Sequence, residues 1–200
     1  MISRIAAPLL LPFAPLMLAA AEPAEAPAEK PAAEAAEGTK IELAEGAVTL
    51  TMPAAWEKRE PRTRIVEFEF AAPPAEGSDV DGRITIMGAG GSVEANLDRW
   101  VAQFAQADGG STRDRAKFSE RETAGCKVHV ADIAGDFKDQ PRGPLGPTET
   151  REDYRMLGAI IVTPKYGQYY VKFYGPSATI AKHEEAFHAM LGTLEVKAAE

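Results

Sequence analysis

Residues 154–163 constrain the fold most, because they form a predicted β-strand that is apolar on both faces. One face carries Met156, Ile160 and Val162, and the other carries Leu157 and Ile161. Successive side chains of a strand point to opposite faces, so a strand of this composition lies in a sheet that is covered on both sides. The chain is therefore expected to place packing layers on both faces of one sheet.

Six further segments have the alternation or β-rich composition of strands. They are Val48–Met52, 64–70, 83–87, Lys117–Thr123, 126–137 and 168–174. Lys117–Thr123 is mostly polar and suits an edge strand, whereas residues 126–137 suit a more central one. In residues 64–70 the apolar side chains share one face, while Glu67 and Glu69 lie on the polar face.

Two segments have the apolar stripe of an amphipathic helix. The first spans residues 93–106 after the N-cap candidate Ser92, and its stripe is Leu97, Trp100, Val101 and Phe104, with Trp100 at the centre. The second begins at Ser177, its N-cap, and ends at Gly192. Strands, helix, strands and helix follow one another without a repeated strand–helix alternation. The sequence therefore predicts an α+β fold, a largely antiparallel sheet of about seven strands with two amphipathic helices packed on it.

The N-terminal segment predicts export. Arg4 precedes an apolar run of 14 residues from Ile5 to Leu18, and Ala19-Ala20-Ala21 follow it. A basic start, a short apolar region and an Ala-x-Ala site form a secretory signal peptide, here residues 1–21. The alternative is a membrane anchor, but a spanning helix needs about 20 apolar residues. We therefore expect a periplasmic or extracellular protein with no stable membrane anchor after cleavage.

Residues 22–38 form the second predicted segment. They are only Ala, Glu, Pro, Lys and Gly, with five Glu and one Lys, and prolines recur at 23, 27 and 31. This composition lacks the side chains that offset ordering entropy, which predicts a disordered linker. A single α/β domain is then expected over residues 39–197.

Composition excludes several classes of function. The formal charge is −8 and the pI about 5.1, so the chain lacks the basic surface of a nucleic-acid binder. The one cysteine excludes an intramolecular disulfide and a cysteine-based zinc finger.

Several segments carry a resemblance to a known family. A strand that ends at Pro53 is followed by Trp56, and residues 167–194 combine an aromatic strand, Gly-Pro and an amphipathic helix. Residues 90–96, which lead into Arg99-Trp100, are similar to a segment of exported bacterial proteins. Together these features resemble PsbP-like domains, whose α/β sandwich is shared with the Ran-binding Mog proteins. The resemblance implies the fold, brings no catalytic residue with it, and does not imply a function.

Two motifs invite a cofactor or metal and are judged not to hold one. Gly88-x-Gly90-Gly91 lacks the third glycine of a dinucleotide fingerprint, because position 93 is Val93, and a tight turn is expected instead. His183 and His188 are five residues apart on a helix, about 140° around its axis, so they do not face one metal ion.

No catalytic residue is predicted. Cys126 and His129 lie three apart in a strand and point to opposite faces, so Cys126 is expected to be a buried free thiol. The chain has no Gly-x-Ser-x-Gly motif, so acyl-transfer chemistry has no support.

Two features are candidates for a binding surface. Residues 136–150 form a predicted loop, in or beside which Lys138, Asp139, Arg142 and Arg151 are candidate partner-binding residues, because long loops are often functional. The alternative is a flexible hairpin tip. Tyr170, Lys172 and Tyr174 share a strand face that could bind a ligand or pack under the terminal helix.

These observations favour an exported, non-enzymatic binding or accessory module of the cell envelope, with a protein partner. An envelope enzyme and a small-ligand carrier remain alternatives. An enzyme would need a cleft with converging titratable groups, whereas a carrier would need an internal apolar cavity.

Overall fold

The computed structural model describes residues 38–141 and 146–197. Within those residues the chain forms eleven strands and four helices. The strands are β1 (Thr39–Leu43), β2 (Val48–Met52), β3 (Glu57–Arg59), β4 (Phe68–Ala72), β5 (Gly82–Ala89), β6 (Phe104–Ala105), β7 (Lys117–Thr123), β8 (Cys126–Asp139), β9 (Glu149–Val162), β10 (Gln168–Pro176) and β11 (Glu195–Val196). The helices are α1 (Val93–Val101), α2 (Thr112–Arg115), α3 (Ser177–Lys182) and α4 (Glu184–Gly192). The predicted leader and nearly all of the predicted linker lie outside the described residues, so both remain predictions.

The strands form one large and one small antiparallel sheet. The large sheet has the order β3-β4-β5-β10-β9-β8-β6, and β7 also pairs with β8. The small sheet has the order β1-β2-β11. The predicted α+β fold with a largely antiparallel sheet is confirmed.

Both faces of the large sheet are packed, as the composition of β9 predicts. One face, the core face, carries Leu157 and Ile161 and packs against α3, α4 and the small sheet. The opposite face, the α1 face, carries Met156 and Ile160 and packs against Trp100 of α1. These four β9 side chains are fully buried.

Helix α1 begins as predicted but ends earlier. The Ser92 hydroxyl accepts a hydrogen bond from the amide of Ala95 at 3.2 Å and caps the helix. The predicted helix over 93–106 is wrong at its C-terminal end, because the chain turns after Val101 and Phe104 pairs with Phe137 of β8. Phe104 keeps the burial that its helical stripe predicted, now from strand β6.

A glycine in the centre of β9 allows α1 to approach the sheet. A Cβ atom at Gly158 would lie 2.5 Å from Cζ3 of Trp100, which is closer than real Cβ contacts. Trp100 is only 3% exposed and also packs edge-on against the Tyr170 ring. The missing side chain of Gly158 therefore provides the space for Trp100.

The predicted terminal helix over 177–192 is interrupted. Helix α3 ends at Lys182 and α4 begins at Glu184, with His183 between them. The indole N–H of Trp56 donates to Nδ1 of His183 at 3.4 Å, and Nε2 of His183 lies 2.8 Å from the carbonyl oxygen of Pro73. A neutral ring protonated on Nε2 satisfies both contacts.

Two sequence predictions need correction in the strands. The strand predicted at residues 64–70 lies at Phe68–Ala72, and Glu69 is buried instead of facing solvent. The loop predicted at 136–150 is shorter, because Lys138 pairs with Thr150 and Asp139 pairs with Glu149 in the β8–β9 ladder. Pairing between β8 and β9 satisfies the backbone N–H and C=O groups even where the side chains are polar. The two strands therefore extend, and the connection between them spans only residues 140–148.

Candidate functional site

Helix α1 covers only part of the α1 face, and an open cleft of about 470 Å³ lies over the remainder. We call it the basic cleft. It is lined by Arg62, Thr63, Val80, Asp81, Arg83, Gln103, Phe137, Lys138, Asp139, Gln140, Pro141, Arg151, Tyr154, Lys172, Tyr174 and Gly175. The lining combines the ends of β5, β8, β9 and β10 with the turn that follows α1. Its volume is in the range of small-molecule sites.

The lining carries more cationic than acidic side chains although the whole chain carries a formal charge of −8. Five cationic side chains line the basic cleft, against the two carboxylates Asp81 and Asp139. The five are Arg62, Arg83, Lys138, Arg151 and Lys172. Both lining carboxylates are paired with arginines: Asp81 lies 3.9 Å from Arg59 and Asp139 lies 3.4 Å from Arg151.

An ion pair joins two strands beside the basic cleft. Nε and Nη2 of Arg83 donate to the two oxygens of Glu69 at 2.8 and 2.9 Å. Burial alone would raise the pKa of Glu69, but the hydrogen bonds from Arg83 and from the Arg62 amide outweigh it and hold that pKa below its ordinary value. Burial likewise lowers the pKa of Arg83, but its bonds to Glu69 and Tyr174 outweigh burial and raise that pKa. Both groups are therefore charged at neutral pH.

Lys172 lies at the floor of the basic cleft on β10. Its ammonium group donates to Oε1 of Gln103 at 2.8 Å and lies 5.8 Å from the Trp100 ring centroid and 5.6 Å from the Tyr174 centroid. Burial lowers the pKa of Lys172 to about 8, and repulsion from Arg83 contributes to the shift. Among the described residues no carboxylate forms an ion pair with Lys172.

Aromatic side chains form one wall. Phe137 stacks on Tyr154 with ring centroids 6.0 Å apart and an interplanar angle of 4°, and its centroid lies 5.2 Å from that of Tyr174. The Tyr174 hydroxyl accepts a hydrogen bond from Nη1 of Arg83. Burial raises the pKa of Tyr174, so its hydroxyl keeps a proton that it can donate.

The turn after α1 links two lysines at the edge of this site. The backbone amide of Lys138 donates to the carbonyl oxygen of Gln103 at 2.7 Å. Its ammonium group donates to the carbonyl oxygen of Ala102 at 3.3 Å. Lys138 and Lys172 therefore contact neighbouring residues of one turn, through neutral acceptors only.

The structure brings together most of the residues that the sequence offered for partner binding. Lys138, Asp139 and Arg151 line the basic cleft, although they lie in strands and not in a loop. Arg142 lies outside the described residues. Whether these residues bind a partner stays a prediction.

The face that carries Tyr170, Lys172 and Tyr174 packs under α1, not under the terminal helices. The Tyr170 hydroxyl donates to the carbonyl oxygen of Gly90 at 3.0 Å, and its ring contacts Trp100. The interpretation that placed this face beneath the terminal helix is therefore wrong. Lys172 and Tyr174 lie beyond the end of α1 and line the basic cleft.

Sequence reasoning missed Arg62, Arg83 and Gln103. Arg83 was part of a predicted strand, and nothing in that strand marked its side chain as functional. Its partner Glu69 is 14 positions away, and the pairing of β4 with β5 brings the two together. The signal that the sequence did offer for Arg83 was its charge, which is unusual in an otherwise apolar strand.

The motifs that were set aside have internal roles. The side-chain amide of Asn96 donates to the carbonyl oxygens of Gly90 at 3.0 Å and Ser92 at 2.9 Å, which fixes the glycine turn before α1. Glu184 pairs with Arg155 at 2.8 Å. Cys126 is a fully buried free thiol, as predicted, and burial raises its pKa.

Residues 38–141 and 146–197 contain no group of three or more His, Cys, Asp or Glu side chains that could hold a metal ion. Over the same residues, none of the helices has the length and apolar character needed to cross a bilayer.

Comparison with known proteins gives similarity of fold. No protein-family model and no curated protein matches the chain. Cyanobacterial PsbP from Synechocystis sp. PCC 6803 is 9% identical, with a TM-score of 0.47, over 80% of this chain and 92% of that one. LpqN, involved in cell envelope biogenesis of Mycobacterium tuberculosis, is 10% identical, with a TM-score of 0.49, over 80% of this chain and 90% of LpqN. The Ran-binding protein Mog1p of Saccharomyces cerevisiae is 11% identical, with a TM-score of 0.41, over 79% of this chain and 94% of Mog1p.

The solved structures that are similar to this chain thus include PsbP and a Mog protein, the two kinds of protein named in the resemblance that the sequence predicted. A protein from Bacteroides thetaiotaomicron is also similar in structure, and this chain spans only 49% of its length. At these identities the likeness concerns the fold and says nothing of a ligand or partner.

Proposed function

We propose that this protein is an exported, non-enzymatic accessory module of the cell envelope that binds an anionic partner at the basic cleft. The observation that carries the proposal is the convergence of five cationic side chains and three aromatic rings in one open cleft of an acidic protein. Such a cleft attracts negative charge and offers ring faces and hydrogen-bond donors to what it binds.

The arrangement of carboxylates favours binding over catalysis. Proton transfer needs a group that is free to accept or donate a proton at the reacting atom. Asp81 and Asp139 are each paired with an arginine, and Glu69 accepts two hydrogen bonds from Arg83. These ion pairs suit a rigid, charged surface.

The core favours a surface site over an internal carrier cavity. Phe173 and Phe187 are fully buried and stack with centroids 6.0 Å apart between the large sheet and the terminal helices. Ile180 and Met190 are also fully buried there. These side chains occupy the space that a carrier of apolar ligands would leave open.

The partner is inferred to be a protein with an acidic surface. Lys138 is exposed at the edge of the basic cleft and has no carboxylate partner among the described residues. A rim cation of this kind contributes to association through charge, and its contribution falls as salt increases. The predicted linker, residues 22–38, would let the domain reach such a partner.

The experiment compares two single variants with the same change of charge. Full-length tagged protein is recovered from its own envelope as wild type, Lys138→Glu and Lys165→Glu. Lys165 is exposed in the turn between β9 and β10, at the far end of those strands from the basic cleft. We expect wild type and Lys165→Glu to recover the same partner at low salt and Lys138→Glu to lose it. Equal recovery by all three proteins would place the binding surface elsewhere.

Export is tested separately. The leader and its Ala-Ala-Ala site support cleavage before Glu22. N-terminal sequencing of protein isolated from the envelope is expected to begin at Glu22. Recovery of Met1 from the exported fraction would contradict this part of the proposal.

A further inference from the structure

Lys172 is a cation at the floor of the basic cleft without a matching carboxylate among the described residues. Within residues 38–141 and 146–197, its hydrogen-bond partner is the neutral side-chain oxygen of Gln103. Removing an ammonium group from water is costly unless a counter-ion and hydrogen bonds replace its hydration. The described chain supplies the hydrogen bond but not the counter-ion.

Lys138 is a second cation of the basic cleft that has no carboxylate partner in the part of the chain that the structure describes. Lys138 donates to the carbonyl oxygen of Ala102, which is the neighbour of Gln103 in sequence. An ammonium group has three donors, so each lysine has two more to offer. Tyr174 accepts from Arg83 and can direct its own hydroxyl hydrogen into the basic cleft.

We propose that the floor of the basic cleft is a subsite for a phosphate monoester, with Lys172 and Lys138 as its counter-ions and Tyr174 as a further donor. The inference rests on the proposed function, since it takes the basic cleft as the binding site. It adds the chemical class of the group that is bound there.

The donor set fits this group better than a carboxylate. A phosphate monoester carries a charge of about −2 at neutral pH and three strong acceptor oxygens. Two ammonium groups balance that charge, and the hydroxyl of Tyr174 provides a third donor. A single carboxylate would leave one of the two lysines without a counter-ion.

The walls of the basic cleft fit an apolar body attached to the phosphate. Phe137, Tyr154 and Tyr174 form a continuous aromatic wall next to the lysines. Val80 lines the opening and is 48% exposed. A ligand with a phosphate and a small ring therefore contacts charge at the floor and apolar surface along the wall.

The probe for this inference is phenyl phosphate, measured by isothermal titration calorimetry with the full-length protein. Inorganic phosphate, phenylacetate and benzyl alcohol are titrated in parallel. We expect phenyl phosphate to bind at least about tenfold more tightly than each of the others, because only it combines the dianion with a ring. Absence of binding at millimolar concentration, or equal affinity for phenylacetate, would overturn the inference.

Variants locate the subsite. Lys172→Met keeps most of the side-chain volume and removes the charge, and Lys165→Met is the matched control away from the basic cleft. Lys172→Met is expected to weaken phenyl phosphate binding by about tenfold or more, the size of a lost charge-assisted hydrogen bond, whereas Lys165→Met is not. Thermal unfolding checks that both variants fold. Unchanged affinity in folded Lys172→Met would contradict the assignment, and Lys138→Gln gives a second independent loss if Lys172→Met does not fold.

The pH dependence gives a second signature. The phosphate becomes a dianion above about pH 6, and Lys172 loses its proton near pH 8. The other charged or titratable groups that line this site are Arg62, Asp81, Arg83, Lys138, Asp139, Arg151, Tyr154 and Tyr174. Affinity should therefore fall as the pH rises above about 8, and a flat profile from pH 7 to 9.5 would contradict the role of Lys172.

Failure of this inference is distinct from failure of the proposed function. If phenyl phosphate does not bind but Lys138→Glu still abolishes recovery of the envelope partner, the basic cleft is a partner site without a phosphate subsite. If phenyl phosphate binds but recovery is the same for all variants, the subsite exists and the partner binds elsewhere.

Discussion

Lys172 lies where the α1 face of the sheet changes from apolar to polar. On its own strand, Tyr170 packs against Trp100 under α1, whereas Tyr174 contacts Arg83 beyond the end of that helix. The sequence showed these three side chains on one face of a strand. It could not show that α1 covers Tyr170 but not Tyr174. The apolar stripe of the sequence continues to Phe104, whereas the helix itself ends at Val101.

The charge of the half-buried Lys172 should cost stability. Replacing it by methionine removes the cost, so Lys172→Met is expected to be more stable than wild type at pH 7 by on the order of 1–2 kcal/mol. The folded chain releases this proton near pH 8 and the unfolded chain holds it until about 10.5. The unfolded state therefore binds more protons between these values, and wild-type stability rises with pH across that interval.

Urea unfolding at pH 7 and pH 9.5 measures the effect. The advantage of Lys172→Met is expected to shrink at the higher pH, while Lys165→Met stays within about 0.5 kcal/mol of wild type at both. A variant that is less stable than wild type at pH 7 would show that the charge is not a cost to the fold.

At the level of elements, α1 depends on one close contact. Trp100 occupies the space above Gly158, where a Cβ atom would lie 2.5 Å from the indole ring. The sequence identified Trp100 as the centre of the helical stripe. It gave no reason to connect that residue with a glycine 58 positions later in the chain.

A double-mutant cycle tests this docking. Gly158→Ala should destabilise by about 1–3 kcal/mol through overpacking, and Trp100→Ala by about 3–5 kcal/mol through a cavity. In the double variant the added methyl group enters the cavity, so the combined loss should be smaller than the sum by about 1 kcal/mol or more. Gly192→Ala is the control, because a Cβ there meets nothing within 4 Å. Additive losses would mean that the two residues do not meet.

The terminal helices show which part of an element the sequence determines. The stripe predicted one helix over 177–192, and its apolar residues do pack on the core face. At the interruption, His183 contacts Trp56 and Pro73, more than 100 positions earlier. Local periodicity therefore gives the buried face of the segment but not the position at which the helix breaks.

For the whole molecule, the layers were predictable from the sequence, whereas the way in which the site residues come together was not. The two apolar faces of β9 predicted packing on both sides of the sheet, which the structure confirms. The basic cleft needs Arg83, Gln103, Lys138 and Lys172, which come from three strands and the turn after α1. Their proximity follows from the order in which the strands pair, and that order is not encoded in the composition of any one strand.

The distribution of charge is a second property of the whole molecule. A chain with a formal charge of −8 concentrates five cationic side chains in one cleft. The net charge predicted that nucleic acid is not a partner, but it gave no sign of a local positive site. The sign of a small surface region is set by the fold, and a net value averages over it.

The central claim is that Lys172 is an uncompensated cation in the basic cleft that an anion neutralises. NMR of isotopically labelled lysine in the full-length protein follows its ionisation directly, with and without phenyl phosphate. We expect the Lys172 signal to titrate near pH 8 in the free protein. It should move to a higher pH when phenyl phosphate is present, while the Lys165 signal does not change. A Lys172 signal that titrates near the ordinary lysine value of about 10.4 and ignores phenyl phosphate would contradict the claim.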